Sequence, residues 1–210
     1  MRSADASTIF RVGLVLLVIF LAAIGFNPLV SIALLALAFV LDGVDGYLAL
    51  REASGGRLGP LEYLDYAISG ANTRRIRALK EKTAKIARYG PRLDVAGDRI
   101  TEYSFWGAFT VFGIVPLFVL IIIIIRHSIA DALLGAKGTS SRMRTGFARA
   151  LYSSNASRGA VNVLKFVTFS YFILAYVSGF PMVFAYVLMA VLVIFIVARG
   201  AAEVYESTRK

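Results

Sequence analysis

Val115-Pro116-Leu117-Phe118-Val119-Leu120-Ile121-Ile122-Ile123-Ile124-Ile125 is apolar on every side. A helix without a polar face has nothing to offer water, so such a stretch belongs in a large core or in lipid. The chain has 210 residues, 58% of them hydrophobic, and the run is one of several. Apolar spans are read at 8–26, 28–50, 94–112, 115–134, 160–178 and 181–201, each near the ~20 residues that cross a ~30 Å hydrocarbon layer. The expected fold is therefore an all-α integral membrane protein, with residues 1–210 forming one membrane domain.

The net charge of +10 is informative through its placement. The turns Phe26-Asn27-Pro28, Gly113 to Pro116 and Ser178 to Pro181 carry no Lys or Arg. The other two connections hold Arg51, Arg57, Arg74, Arg75, Arg77, Lys80, Lys82, Lys85, Arg88 and Arg92, then Lys137, Arg142, Arg144, Arg149 and Arg158. Basic residues gather on the cytoplasmic side, which gives six transmembrane helices with both termini cytoplasmic and a multi-pass protein of the cell membrane. Arg2 before the first apolar run also suits a signal peptide. Removing that run would leave an odd number of spans against the charge pattern, so it is expected to stay.

Cysteine is absent and His127 is the only histidine. Disulfides, thiolate zinc sites and cysteine nucleophiles are excluded, and any metal must rest on oxygen ligands, which favours magnesium, manganese or calcium. Such oxygens come in two pairs. Asp42 and Asp45 close the second span, and Asp94 and Asp98 open the third. Spacings of i,i+3 and i,i+4 put each pair on one helical face, so two neighbouring helices would pool four carboxylates at the cytoplasmic side. Like charges that close force protonation unless cations compensate them, and two divalent ions match four carboxylates. Gly46, Ala49, Gly90 and Gly97 accompany the acids, so the cleft walls are acidic and sterically open. Such a cleft suits a metal-bound diphosphate with a flat base against the glycines, with Arg51 and the loop arginines balancing its charge. Asp98, the last and deepest acid, is the candidate general base.

Asp42-Gly43-Val44-Asp45-Gly46-Tyr47-Leu48-Ala49, followed by Gly90-Pro91-Arg92-Leu93-Asp94-Val95-Ala96-Gly97-Asp98, resembles the signature of the CDP-alcohol phosphotransferase family. Ser7-Thr8-Ile9-Phe10-Arg11, Arg126 with Ser128 to Leu133, and Lys165 with Thr168 are similar to its phosphatidylglycerophosphate synthase branch. The resemblance implies a homodimeric membrane transferase that moves a phosphatidyl-type or archaetidyl-type group from a CDP-linked lipid to an alcohol acceptor, releasing CMP. It implies Mg2+ or Mn2+ on Asp42, Asp45, Asp94 and Asp98, with Asp98 also the base. Gly46, Ala49 and Gly90 would border the CDP moiety. A phosphorylated acceptor, glycerol phosphate or inositol phosphate, would be met by Arg126, Arg158 and Lys165. Two departures stand out. Leu50 occupies the place where the family has an arginine, with Arg51 one position later, and residues 50–89 separate the two halves of the signature.

That insertion, about residues 52–89, contains a basic amphipathic stretch from Arg74 to Arg88 with Ile76, Leu79, Thr83 and Ile86 on one side. That stretch is expected as a short helix lying on the anionic cytoplasmic leaflet beside the cleft; a nucleic-acid partner is not expected. Tyr103, Phe105, Trp106 and Phe109 are read as packing or lipid-facing aromatics, and His127 as a helix-end residue. Two other function classes fit acids in a membrane: an aspartate-motif prenyltransferase, which releases inorganic diphosphate, and a non-enzymatic divalent-cation carrier.

Overall fold

The computed structural model describes residues 3–69, 73–86, 90–137 and 155–208, and among them there are helices and turns but no strand. The helices are α1 (Ser3–Ala23), α2 (Pro28–Ala53), α3 (Pro60–Ser69), α4 (Thr73–Ile86), α5 (Gly90–Val111), α6 (Leu117–Lys137), α7 (Asn155–Ser178) and α8 (Met182–Thr208). Among the described residues, four stretches are long and apolar enough to cross a membrane: α1, α2, Gly159–Ser178 of α7 and Met182–Tyr205 of α8. The protein is thus a multi-pass membrane protein. The two other expected spans fold as the helices α5 and α6 and are not among these four. The chain divides into two compact units, Met1–Ser104 and Phe105–Lys210.

In the first unit, α1 and α2 form a hairpin. Gly25, at φ 67°, ends α1: the Phe26 amide donates to the Leu21 carbonyl at 2.9 Å and the Gly25 amide to Ala22 at 3.0 Å. This left-handed cap requires a residue without a Cβ. Asn27 then caps α2 by accepting from the Leu29 amide at 2.9 Å, with Pro28 at the first helical position, where its missing N–H costs nothing. The facing sides carry Val15, Val18 and Ala22 on α1 and Ser31, Leu35 and Ala38 on α2, all buried. Small residues among them let the backbones approach, which is how helices gain contact where lipid offers no hydrophobic drive. Phe20, Leu29 and Val40 point outward and are exposed, as suits a lipid-facing surface. The antiparallel register sets Thr8 opposite Asp45 and Arg11 opposite Asp42.

The insertion holds two helices, α3 and α4, and α4 covers the basic stretch expected as a helix. Gly55, at φ 66°, stops α2, and Pro60 starts α3 four residues before Leu64. The end of α2, α3 and α4 then share a small core of Leu50, Leu58 and Ile76, with Tyr47, Tyr63, Tyr66 and Leu79 against it. Ile76 is fully buried, and the Thr83 hydroxyl donates to the Ala49 carbonyl at 3.4 Å. Ile76 and Leu79 on the apolar side of α4 thus meet protein. Leu50 and Tyr47 of α2 are part of the apolar surface that receives them. Arg74, Arg75, Arg77, Lys80 and Lys82 remain exposed. Ion pairing of Arg75 with Glu62 at 2.6 Å and a hydrogen bond from Lys80 to the Tyr66 hydroxyl at 3.0 Å tie α4 to α3. Arg88 lies outside the described residues.

The second unit is held by aromatic packing, as expected for Phe105, Trp106 and Phe109. Phe105 stacks on Phe169 at 4.7 Å between centroids, and Trp106 meets Phe169 and Phe172 edge-on. All five of these rings, Phe109 included, are at most 2% exposed.

Candidate metal centre

Asp42, Asp94 and Asp98 converge: each offers a carboxylate oxygen, and the three oxygens lie within 4.8 Å of one another. Oxygens that close suit a single hard cation, whose ligand distances run about 2.0–2.6 Å. The i,i+4 spacing of Asp94 and Asp98 sets both on one side of α5, and the α1–α2 register presents Asp42 to them. Asp45 is not in this trio. It lies one turn further along α2, is 5% exposed, and one of its oxygens accepts from the Thr8 hydroxyl at 3.1 Å. Its other oxygen, Oδ1, is buried without a hydrogen-bond partner, a costly state for a carboxylate that a cation would relieve.

Arg11 stands in the middle of the four acids. Its guanidinium pairs closely with Asp42, lies 2.8 Å from Asp98, 3.7 Å from Asp94 and 3.9 Å from Asp45. The side chain is 6% exposed. Among the described ion pairs, one guanidinium faces four carboxylates, three charges short of balance when all four are ionised. Arg11 holds the acids together and does not neutralise them, so the donor set still fits divalent cations.

Gly97 makes this arrangement possible. A Cβ there would meet Thr8 Cγ2 at 2.6 Å and the Arg11 guanidinium at 3.4 Å, so only glycine lets α1 lie this close to α5. Gly46 is crowded from the other side: a Cβ would lie 2.8 Å from the Tyr63 hydroxyl. Tyr63 belongs to α3 and is packed against Tyr47, with ring centroids 5.6 Å apart. Burial raises the Tyr63 phenol above its ordinary pKa, and Tyr66, Asp42 and Asp94 push it further up; it is a proton-holding group beside the acids.

The remaining sequence candidates lie on α2, α5, α6 and α7. Ala49 is half-buried, and its carbonyl accepts from Thr83. Arg51 is exposed in the last turn of α2, where its charge complements the helix dipole. Gly90 is the first residue of α5; its surroundings lie outside the described residues, as does the side chain of Arg158. Lys165 is half-buried on α7. Arg126 is engaged within its own unit: it pairs with Glu203 at 3.0 Å, donates to the Ile196 carbonyl at 3.2 Å, and lies 2.8 Å from His127 Nδ1. Gly200 makes room for it, since a Cβ would sit 2.6 Å from Arg126 Nε.

Sequence reasoning assigned no role at the acids to Thr8, Arg11 or Tyr63, and no partner to Arg126. A signal for Arg11 existed: it is the one charged residue between Ile9 and Phe26, and a charge inside an apolar helix calls for a partner. The residues opposite it across the hairpin are the acids. No family model, curated protein or solved structure matches this chain.

Proposed function

We propose that the protein is a membrane transferase that moves a phosphoalcohol group from a CDP-activated lipid to an alcohol acceptor and releases CMP. The observation that carries this reading is the convergence of Asp42, Asp94 and Asp98 around a single guanidinium, with a buried, unpartnered oxygen of Asp45 beside them. A donor set with surplus negative charge and only oxygens fits Mg2+ or Mn2+. When bound, such ions neutralise a diphosphate and make its phosphorus more electrophilic.

The residues of this chain do the rest. Asp42, Asp45 and Asp94 hold the cations, and Asp98, half-buried, accepts the proton of the attacking acceptor hydroxyl. Arg11 keeps the carboxylates in register between turnovers. Gly46, Ala49 and Gly90 border the nucleotide, with Arg51 near its phosphates. Basic side chains are expected to meet a phosphorylated acceptor; Arg126 already pairs Glu203, which balances its charge. In the six-span topology with cytoplasmic termini, the acids face the cytoplasm, where CDP-lipid headgroups and soluble acceptors meet.

The test is incubation of the reconstituted protein with CDP-lipid, divalent cation and a panel of alcohols, scoring released nucleotide. CMP release that requires an acceptor and stops with a chelator supports the reading. Absence of CMP, with release of inorganic diphosphate from a prenyl diphosphate instead, would replace it with a prenyl transfer.

A further inference from the structure

The insertion brings a side chain into the acidic cleft. Tyr63 reaches from α3 to Gly46, the residue next to Asp45, and close enough to Asp42 and Asp94 to feel their charge. Its ring is fixed from behind by Tyr47 and by Tyr66, whose centroid is 6.4 Å away. The packing therefore uses the ring and leaves the oxygen. Among the described residues, no group donates to or accepts from the Tyr63 hydroxyl. A half-buried phenol held in place beside Gly46, one helical turn from Asp42, with its O–H unused, is arranged to donate to an anion that cations would bring to the acids.

We propose that Tyr63 is a donor-binding residue of this site, its hydroxyl donating a hydrogen bond to the diphosphate of the activated substrate above Gly46. The proposal rests on the transferase reading for the identity of that diphosphate. It also gives residues 52–89 a role: α3 and α4 form a wall of the cleft and are not a separate appendage. The core of Leu50, Leu58 and Ile76 anchors that wall to the helix that carries Asp42 and Asp45.

The experiment uses the full chain in detergent with Mn2+ and titrates CDP and, separately, inorganic diphosphate into wild type and Tyr63→Phe by calorimetry. The variant keeps the ring and its packing, so its melting temperature should match wild type. Loss of one hydrogen bond to a charged group should weaken both ligands about tenfold. Unchanged affinities in Tyr63→Phe, or a loss that merely follows a lowered melting temperature, would overturn the assignment. The comparison of ligands decides the underlying reading by itself: CDP binding no tighter than inorganic diphosphate in wild type argues against a cytidine nucleotide, while the Tyr63→Phe ratio still judges the tyrosine. No binding of either ligand by wild type overturns both.

Discussion

The guanidinium of Arg11 on α1 pairs with Asp42 on α2 and lies 2.8 Å from Asp98 on α5, so one buried cation joins three helices at the acidic cluster. Without it, Asp42, Asp94 and Asp98 lose the guanidinium that they share.

Arg11→Gln should therefore destabilise the metal-free protein by about 3–5 kcal/mol, the usual cost of stripping one partner from a buried charge pair. Divalent cation should recover more of the melting temperature in the variant than it adds to wild type, because it replaces the missing charge. Thermal melting with chelator and with Mg2+ measures both. Equal metal-free stability of the two proteins would show that Arg11 does not hold the cluster.

Gly97→Ala tests the close approach of α1 and α5. The new methyl would meet Thr8 Cγ2 at 2.6 Å, and Thr8 is buried and β-branched, so it has little freedom to turn away. The expected cost is about 1–3 kcal/mol. Thr8→Ser removes the obstructing methyl and keeps the hydroxyl that bonds Asp45, so the double variant should regain much of the loss in the same melting assay. A Gly97→Ala protein as stable as wild type would contradict this packing.

Gly46→Ala should couple to Tyr63. In wild type the added Cβ would lie 2.8 Å from the hydroxyl but 3.8 Å from Cζ, so the clash is with the oxygen alone. Gly46→Ala should lower stability by about 1 kcal/mol or more in the wild-type background and by much less in Tyr63→Phe. A double-mutant cycle on melting curves reads the difference. Additive effects would mean that the two residues do not touch.

The acidic pairs were legible because helical periodicity alone puts Asp42 with Asp45, and Asp94 with Asp98, on common faces. The hairpin of α1 and α2 was equally legible from Phe26-Asn27-Pro28, where cap chemistry is local. The roles of Arg11 and Tyr63 were not, since both depend on which helices become neighbours. Arg11 acquires its partners only through the antiparallel register that aligns residue 11 with residue 42, and through the missing side chain at Gly97. Tyr63 sits on a ten-residue helix whose start is signalled by Pro60 but whose destination is set by the core of Leu50, Leu58 and Ile76. The amphipathic character of α4 was legible in its sequence; that Ile76 and Leu79 pack with Leu50 and Tyr47 was not, because amphipathicity alone does not name the partner. Arg126 presented the same problem, because Glu203 is 77 positions away.

The central claim is that these carboxylates gather divalent ions, and Mn2+ titration followed by electron paramagnetic resonance tests it most directly. Wild type should show saturable Mn2+ binding that tightens when CDP is added, and Asp42→Asn, Asp94→Asn and Asp98→Asn should each weaken it at least tenfold, about 1.4 kcal/mol. Mn2+ binding that is absent from wild type, or that survives all three substitutions unchanged, would contradict the account.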